Sequence, residues 1–325
     1  MTRARVNDIR RWEREVDFKL GMDGKSQKMA VLALAVMSLV WGYNWVIMKE
    51  SLKYCDPFDF AAIRTFFGSL LLFLVLVIRG KSLRPKEVPL TILLGLLTTT
   101  GCIGISTWAL KFSGAGKTAV LVYTMPFWLL ILAWPILGER IRGIQWIAAA
   151  AAFTGLIAIL EPWNMRGSPF GNFLGIAAGI FWAASAIVTK IIRKRSADFD
   201  LVSITAWQLM FGALPLVVIA FTLSARPIEW TPYFTGAIIY NIIFTNAVAL
   251  LLWFYSLHAL PAGIAGMGTL ATPVIGVLSA SVQLGEIPSP VEAWGMILIL
   301  AGLAFVSLPG ILEYRRLRVL IRNNG

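Results

Sequence analysis

Apolar positions in this chain do not alternate with polar ones; they come in long unbroken runs. Ten runs of roughly 20 residues can be marked at about 29–49, 58–78, 88–110, 115–136, 143–160, 171–191, 201–223, 232–256, 261–283 and 291–310. Runs of that length span a bilayer as helices, because only a helix pairs its own backbone groups inside hydrocarbon. The connections are short, so the pattern predicts an all-α integral membrane protein with ten transmembrane helices. Composition agrees. The 325 residues are 58% hydrophobic and 14% charged, against roughly 25% charged in a soluble domain.

The runs are written twice. Pro126, Gly138-Glu139 and Gly155 recur 147 positions later as Pro273, Gly285-Glu286 and Gly302. Trp41 precedes Lys49 by eight, as Trp182 precedes Lys190, and Arg64 precedes Gly68 by four, as Gln208 precedes Gly212. Two halves follow, 29–160 and 171–310, each of five runs. The linker Glu161–Phe170 between them holds the turn formers Pro162, Asn164, Gly167 and Pro169. Five is odd, so the second half enters the membrane from the opposite side. The expected architecture is two inverted five-helix repeats around a central cavity, the signature of a secondary transporter.

The net charge of +12 would point to nucleic acid in a soluble protein. Here its placement decides. With the N-terminus inside, 22 of the 29 Lys and Arg fall on cytoplasmic segments, eight of them before the first run. This bias predicts both termini in the cytoplasm and excludes a nucleic-acid partner. Residues 1–28 read as a basic segment, either an amphipathic helix on the inner membrane surface or a disordered tail. Residues 311–325 form a basic cytoplasmic tail. Cys55 and Cys102 are too few for a disulfide framework. Gly171, Gly175 and Gly179 make a small-residue stripe suited to close helix contact.

Several motifs resemble the drug/metabolite transporter superfamily, EamA type. The stretch Trp41-Gly42-Tyr43-Asn44-Trp45 through Lys49, with Pro57 seven before Arg64, is similar to the family's beginning. So is Trp108-Ala109-Leu110, Ala115, Tyr123-Thr124-Met125-Pro126 and Leu137-Gly138-Glu139-Arg140, repeated as Tyr255-Ser256-Leu257, Ala262, Thr272-Pro273 and Leu284-Gly285-Glu286. The resemblance implies an inner-membrane efflux transporter for amino acids or related small metabolites, working with no cofactor. It also implies a cavity lined mainly by the first, third, fourth, sixth, eighth and ninth helices. A complete pathway in one chain makes a monomer the simpler expectation.

Arg64 lies about 10 Å inside the outer end of its run by helical rise. A cation at that depth is functional or paired. One reading is a docking point for a solute carboxylate, which suits the planar guanidinium fork. The other is an ion pair with Asp59, Asp56 or Glu50, or snorkelling to the surface. Lys49 and Lys190 sit nearer the interfaces, where snorkelling is expected. Trp41, Asn44, Trp45 and Met48 share a helix face. Asn246 and Trp253 share another, with Asn241 near it. Trp108, Tyr123, Trp182 and Gln208 complete the candidate cavity residues. Pro126 and Pro273, mid-helix, are candidates for gating kinks. Glu139 and Glu286, after glycines at helix ends, are expected to fix turns.

No Asp or Glu falls in the middle of a run, and His258 is the only histidine. There is no catalytic triad and no metal-spaced set, so a membrane enzyme is not expected. Two alternatives to export remain open. One is import or exchange of carboxylated or phosphorylated anions; the other is a non-transporting structural or receptor role.

Overall fold

The computed structural model describes residues 24–137, 144–160, 168–195, 200–252, 256, 262–302 and 304. These are helical with short connections, and no strand occurs among them. In chain order the helices are α1 (Gly24–Ser51), α2 (Pro57–Ile78), α3 (Val88–Phe112), α4 (Ala115–Ile136) and α5 (Ile144–Leu160). They continue as α6 (Pro169–Arg195), α7 (Leu201–Leu223), α8 (Pro232–Leu252), α9 (Ala262–Leu284) and α10 (Pro290–Gly302). Seven stretches, in α1–α4 and α6–α8, are long and apolar enough to cross a membrane. The coarse expectation of a helical multi-pass membrane protein therefore holds. The ends of several helices follow familiar chemistry. α2 and α8 begin with proline, whose missing N–H costs nothing in a first turn. The Asp200 carboxylate accepts from the N–H groups of Val202 and Ser203 and so caps α7.

The α1–α2 turn, the end of α3, the α7–α8 loop and the α9–α10 loop all gather on one face. There Arg226 donates to the carbonyls of Leu52, Lys53 and Cys55. Asp56 accepts from the Ala225 N–H at 2.9 Å, and Lys111 lies 3.6 Å from it. Lys49 donates to the carbonyls of Leu110 and Ser113 at the C-terminus of α3. The snorkelling expected of Lys49 is thus replaced by a cap, since the last carbonyls of a helix are unpaired and carry partial negative charge. Below this face an apolar cluster including Trp45, Phe60, Cys102, Leu110, Tyr123 and Phe234 fills the space between helices.

Small residues set the close crossings. The α6 stripe packs as its spacing predicts: Gly175 meets Leu121, and Gly179 meets the Val122 carbonyl of α4. Gly155 of α5 and Gly295 of α10 approach each other's carbonyls, where an added Cβ would lie 2.5–2.6 Å away.

Three departures from a plain helix stand out. α4 breaks at Tyr123-Thr124 into limbs Ala115–Val122 and Met125–Leu137. Pro126 is therefore not at mid-helix. It is the second residue of the lower limb, where it fits without loss of a bond. Its counterpart Pro273 lies inside α9, whose helix is continuous across it. The other two departures are π-helical segments, Leu96–Gly104 in α3 and Asn241–Val248 in α8. They occupy matching places in the two halves and have no signal in the sequence pattern.

Candidate solute site

Arg64 is the centre of a buried polar group. Its side chain is 5% exposed, yet among the described residues no carboxylate lies within ion-pair distance. The sequence allows a pair with Asp59, Asp56 or Glu50. The structure instead gives Asp56 to Lys111 and Arg226, and Glu50 to Lys53. Arg64 turns inward. Its Nη1 donates to Asn241 Oδ1 at 2.7 Å and approaches Met48 Sδ at 3.3 Å. The guanidinium carbon stands 5.6 Å from the centre of the Phe60 ring, within cation–π range. Neutral partners do not cancel its charge, and Nε has no partner among the described residues. Asn44 donates to the same Met48 sulfur at 3.1 Å and leaves its own Oδ1 unpaired. Buried polar atoms without partners are uncommon and call for an explanation. A planar acceptor placed beside Nε would supply one.

α8 holds this group through its π segment. A π segment shifts the backbone ladder and frees carbonyls that other groups can reach. Trp41 Nε1 donates to a carbonyl within this segment, Thr245 O, at 3.1 Å. Asn246 Nδ2 donates to the Arg64 carbonyl at 2.9 Å and so ties α8 to α2 beside the charge.

The structure brings several of the expected residues together and leaves others apart. Arg64, Asn44, Asn246 and Trp41 surround the polar group, and Asn241 belongs in its first rank. Trp45 and Tyr123 lie in the apolar cluster just above, with the Tyr123 ring 5.3 Å from Trp182 in an edge contact. Thr124, not singled out from sequence, secures the break in α4. It donates to the Leu121 carbonyl and accepts from Trp128 Nε1. Trp108 is elsewhere, in an aromatic stack with Phe58, Phe112 and Phe170 near the Arg226 face. Gln208 sits on α7 at a second joint, where its carbonyl accepts from Thr99 of α3 at 3.3 Å. Glu286 is at the α9–α10 loop, accepting from the Gly116 N–H at 3.3 Å. Glu139 and Trp253 lie outside the described residues, as do residues 1–23. No group of three metal-binding side chains occurs among the described residues.

This is a multi-pass helical membrane protein with a buried polar site, and comparison with known proteins gives its class. Residues 28–161 and 169–308 each match the EamA-like transporter family, so the chain belongs to that family. It is therefore a member of a transporter family and not an enzyme. It is 30% identical to "Uncharacterized transporter YoaV" of Bacillus subtilis (strain 168), over 79% of this chain and 89% of that protein. It is also 30% identical to a "Probable amino-acid metabolite efflux pump" of Salmonella typhimurium, over 90% of this chain and 99% of that protein. A solved crystal structure shares the fold with a TM-score of 0.60 at 20% identity, covering 89% of this chain and 98% of the other.

Proposed function

We propose that this chain exports amino acids or related small metabolites by alternating access, with Arg64 receiving the solute's carboxylate. The observation that carries the reading is the Arg64 guanidinium, buried with only neutral partners and an unpaired Nε among the described residues. A carboxylate accepts two parallel N–H bonds from such a fork and neutralises it. Asn241 and Asn44 orient the solute, while Trp41, Trp45, Tyr123 and Trp182 supply apolar walls. The name of the Salmonella relative supports the solute class.

The architecture proposed is ten spans in two inverted repeats, 29–160 and 171–310, in the inner membrane with both termini cytoplasmic. Support comes from equivalent contacts. The Asn246 side chain donates to the Arg64 carbonyl, and Thr99, 147 positions earlier, donates to the carbonyl of Gln208, the counterpart of Arg64. In this topology the Arg226 face is external. Its ties among Lys49, Arg226 and Asp56 close the outer gate, and the break at Tyr123-Thr124 is where α4 bends as the gate opens. The unit is a monomer, since one chain holds both halves.

Counterflow in proteoliposomes tests the reading. Vesicles loaded with a mixed amino-acid panel take up labelled single amino acids from outside. Wild type accumulates particular amino acids, and Arg64→Ala does not. Absence of uptake for every amino acid by wild type overturns the solute class; equal uptake by Arg64→Ala overturns the role of Arg64.

A further inference from the structure

A second polar site lies away from Arg64. A cavity of about 300 Å³ opens where the α3–α4 turn, the start of α6 and the α9–α10 loop meet, on the Arg226 face. Its polar lining includes Lys117, Asn172, Glu286 and Glu292, over apolar walls that include Val277 and Met296. That volume is at the lower end for small-molecule sites.

The charges in it are not balanced. Lys117 and Glu292 pair at 2.6 Å, with side chains only 14% and 21% exposed. The second oxygen of Glu292 accepts from the Ser289 N–H, so both ions of this pair are occupied. Glu286 has no ion-pair partner within 4.0 Å among the described residues. Its Oε2 accepts from the Gly116 N–H, and no hydrogen bond from a described residue engages Oε1. Lys49 is near enough to feel this carboxylate, but its ammonium is turned to the carbonyls of Leu110 and Ser113. Asn172 supplies the independent observation. It lines the cavity and is 4% exposed, and its side-chain amide makes no hydrogen bond to any described residue. Asn172 and the Glu286 carboxylate line one cavity, so together they offer acceptors to a donor that enters it.

We propose that this cavity is a second, outer subsite that takes the primary ammonium group of the solute. Glu286 Oε1 and the Asn172 carbonyl oxygen accept from the ammonium, and Val277 and Met296 receive an aliphatic side chain. The proposal rests on the reading of the solute as an amino-acid metabolite and adds where its ammonium end is held. In this arrangement the apolar cluster that includes Trp45, Leu110 and Ala119 forms a plug between the two sites. The carboxylate is thus gripped on the inner side of that plug and the ammonium on the outer side, as two stations of one path.

Two half-ligands separate the sites. L-leucinamide carries the ammonium without a carboxylate; 4-methylvalerate carries the carboxylate without an ammonium. Binding of each, labelled, is measured by equilibrium dialysis against the full chain in lipid nanodiscs, with empty nanodiscs subtracted. Wild type binds L-leucinamide. Glu286→Gln weakens it at least ten-fold, and Asn172→Leu weakens it several-fold. Arg64→Ala leaves it within two-fold. Glu286→Gln keeps an oxygen for the Gly116 N–H, and unaltered 4-methylvalerate binding by this variant shows that it is folded. Failure of wild type to bind L-leucinamide, or equal binding by Glu286→Gln, overturns the outer subsite. Loss of L-leucinamide binding in Arg64→Ala also overturns it, because one site would then serve both ends. Failure of 4-methylvalerate to respond to Arg64→Ala sinks the Arg64 reading and leaves the outer subsite standing.

Discussion

The same joint is built twice in this protein, with different chemistry. In one, α8 crosses α2, and in the other α3 crosses α7. Each crossing uses a π-helical segment, and each places a glycine against it: Gly68 against Asn246, Gly212 against Thr99. Each has a side chain on the π segment donating to a carbonyl of the partner helix, Arg64 O or Gln208 O. The difference lies in what else is polar. The α2–α8 joint buries a cation among amides. The α3–α7 joint buries threonine hydroxyls, and Thr100 adds a 2.8 Å bond to the Gly212 carbonyl. It brings backbones closer: a Cβ on Gly212 would stand 2.2 Å from the Gly95 carbonyl. One copy is specialised for charge and the other for tight packing. A repeat keeps its backbone geometry when its side chains diverge, because the crossing is set by small residues and main-chain acceptors.

The largest effect should come from the charge. Arg64→Ala should cut transport at least a hundred-fold, while Gln208→Ala should change it less than three-fold; solute counterflow compares the two. Equal losses would show that the joints are not functionally distinct. Arg64→Lys should restore only part, since an ammonium lacks the planar fork. Next comes packing. Gly212→Ala should lower stability by about 1–3 kcal/mol, because its Cβ meets backbone that cannot step aside. Gly68→Ala should cost less, since it meets the Asn246 side chain, which can turn away and give up its bond to Arg64. Thermal unfolding in detergent ranks them, and a reversed order would contradict the contrast. Asn241→Leu is milder still. It removes the only oxygen on Arg64 Nη1 among the described residues, and solute affinity should change by about ten-fold, or about 1.4 kcal/mol.

The smallest effects are at the two helix starts. Asp56 before α2 and Asp200 before α7 are equivalent, 144 positions apart. Asp200 caps its own helix, whereas Asp56 makes no side-chain cap and reaches across to the other half. Asp200→Ala should cost about 1 kcal/mol at neutral pH. Burial alone would raise the Asp56 carboxyl, but the Ala225 N–H, Lys111, the Arg226 N–H and the Arg226 charge together hold it below the usual carboxylate range. A depressed folded value stabilises above the unfolded pKa of about 3.9 and is lost as pH falls through the folded value. Cleavage of the α7–α8 loop by an acid protease should therefore rise below pH 4, and in Asp56→Asn that rise should be absent. A rise of equal size in the variant would remove Asp56 from the clamp.

Much of this is legible in the residues alone. Runs of apolar residues mark the helices, and the repeated Pro126, Gly138-Glu139 and Gly155 pattern points to two halves. Arg64 is conspicuous because charge is rare at that depth. Other features carry no sequence signal. Nothing in Leu96–Gly104 or Asn241–Val248 announces a π segment, because it arises where neighbouring helices reward a shifted ladder with new partners. Trp108 and Trp45 look alike in sequence, yet one joins a peripheral aromatic stack and the other the central cluster. Lys49 has the pattern of an interfacial cation, yet it caps α3 at Leu110, 61 positions away in sequence.

The sequence by itself determined that the chain is helical, membrane-spanning and twofold in plan, because local periodicity and hydropathy decide whether a segment can satisfy its backbone in lipid. Only the tertiary structure decided that Arg64 faces amides and not Asp59, and that Glu286 and Asn172 share a cavity. Those outcomes depend on which side chains distant segments bring into contact, and local pattern carries no information about that.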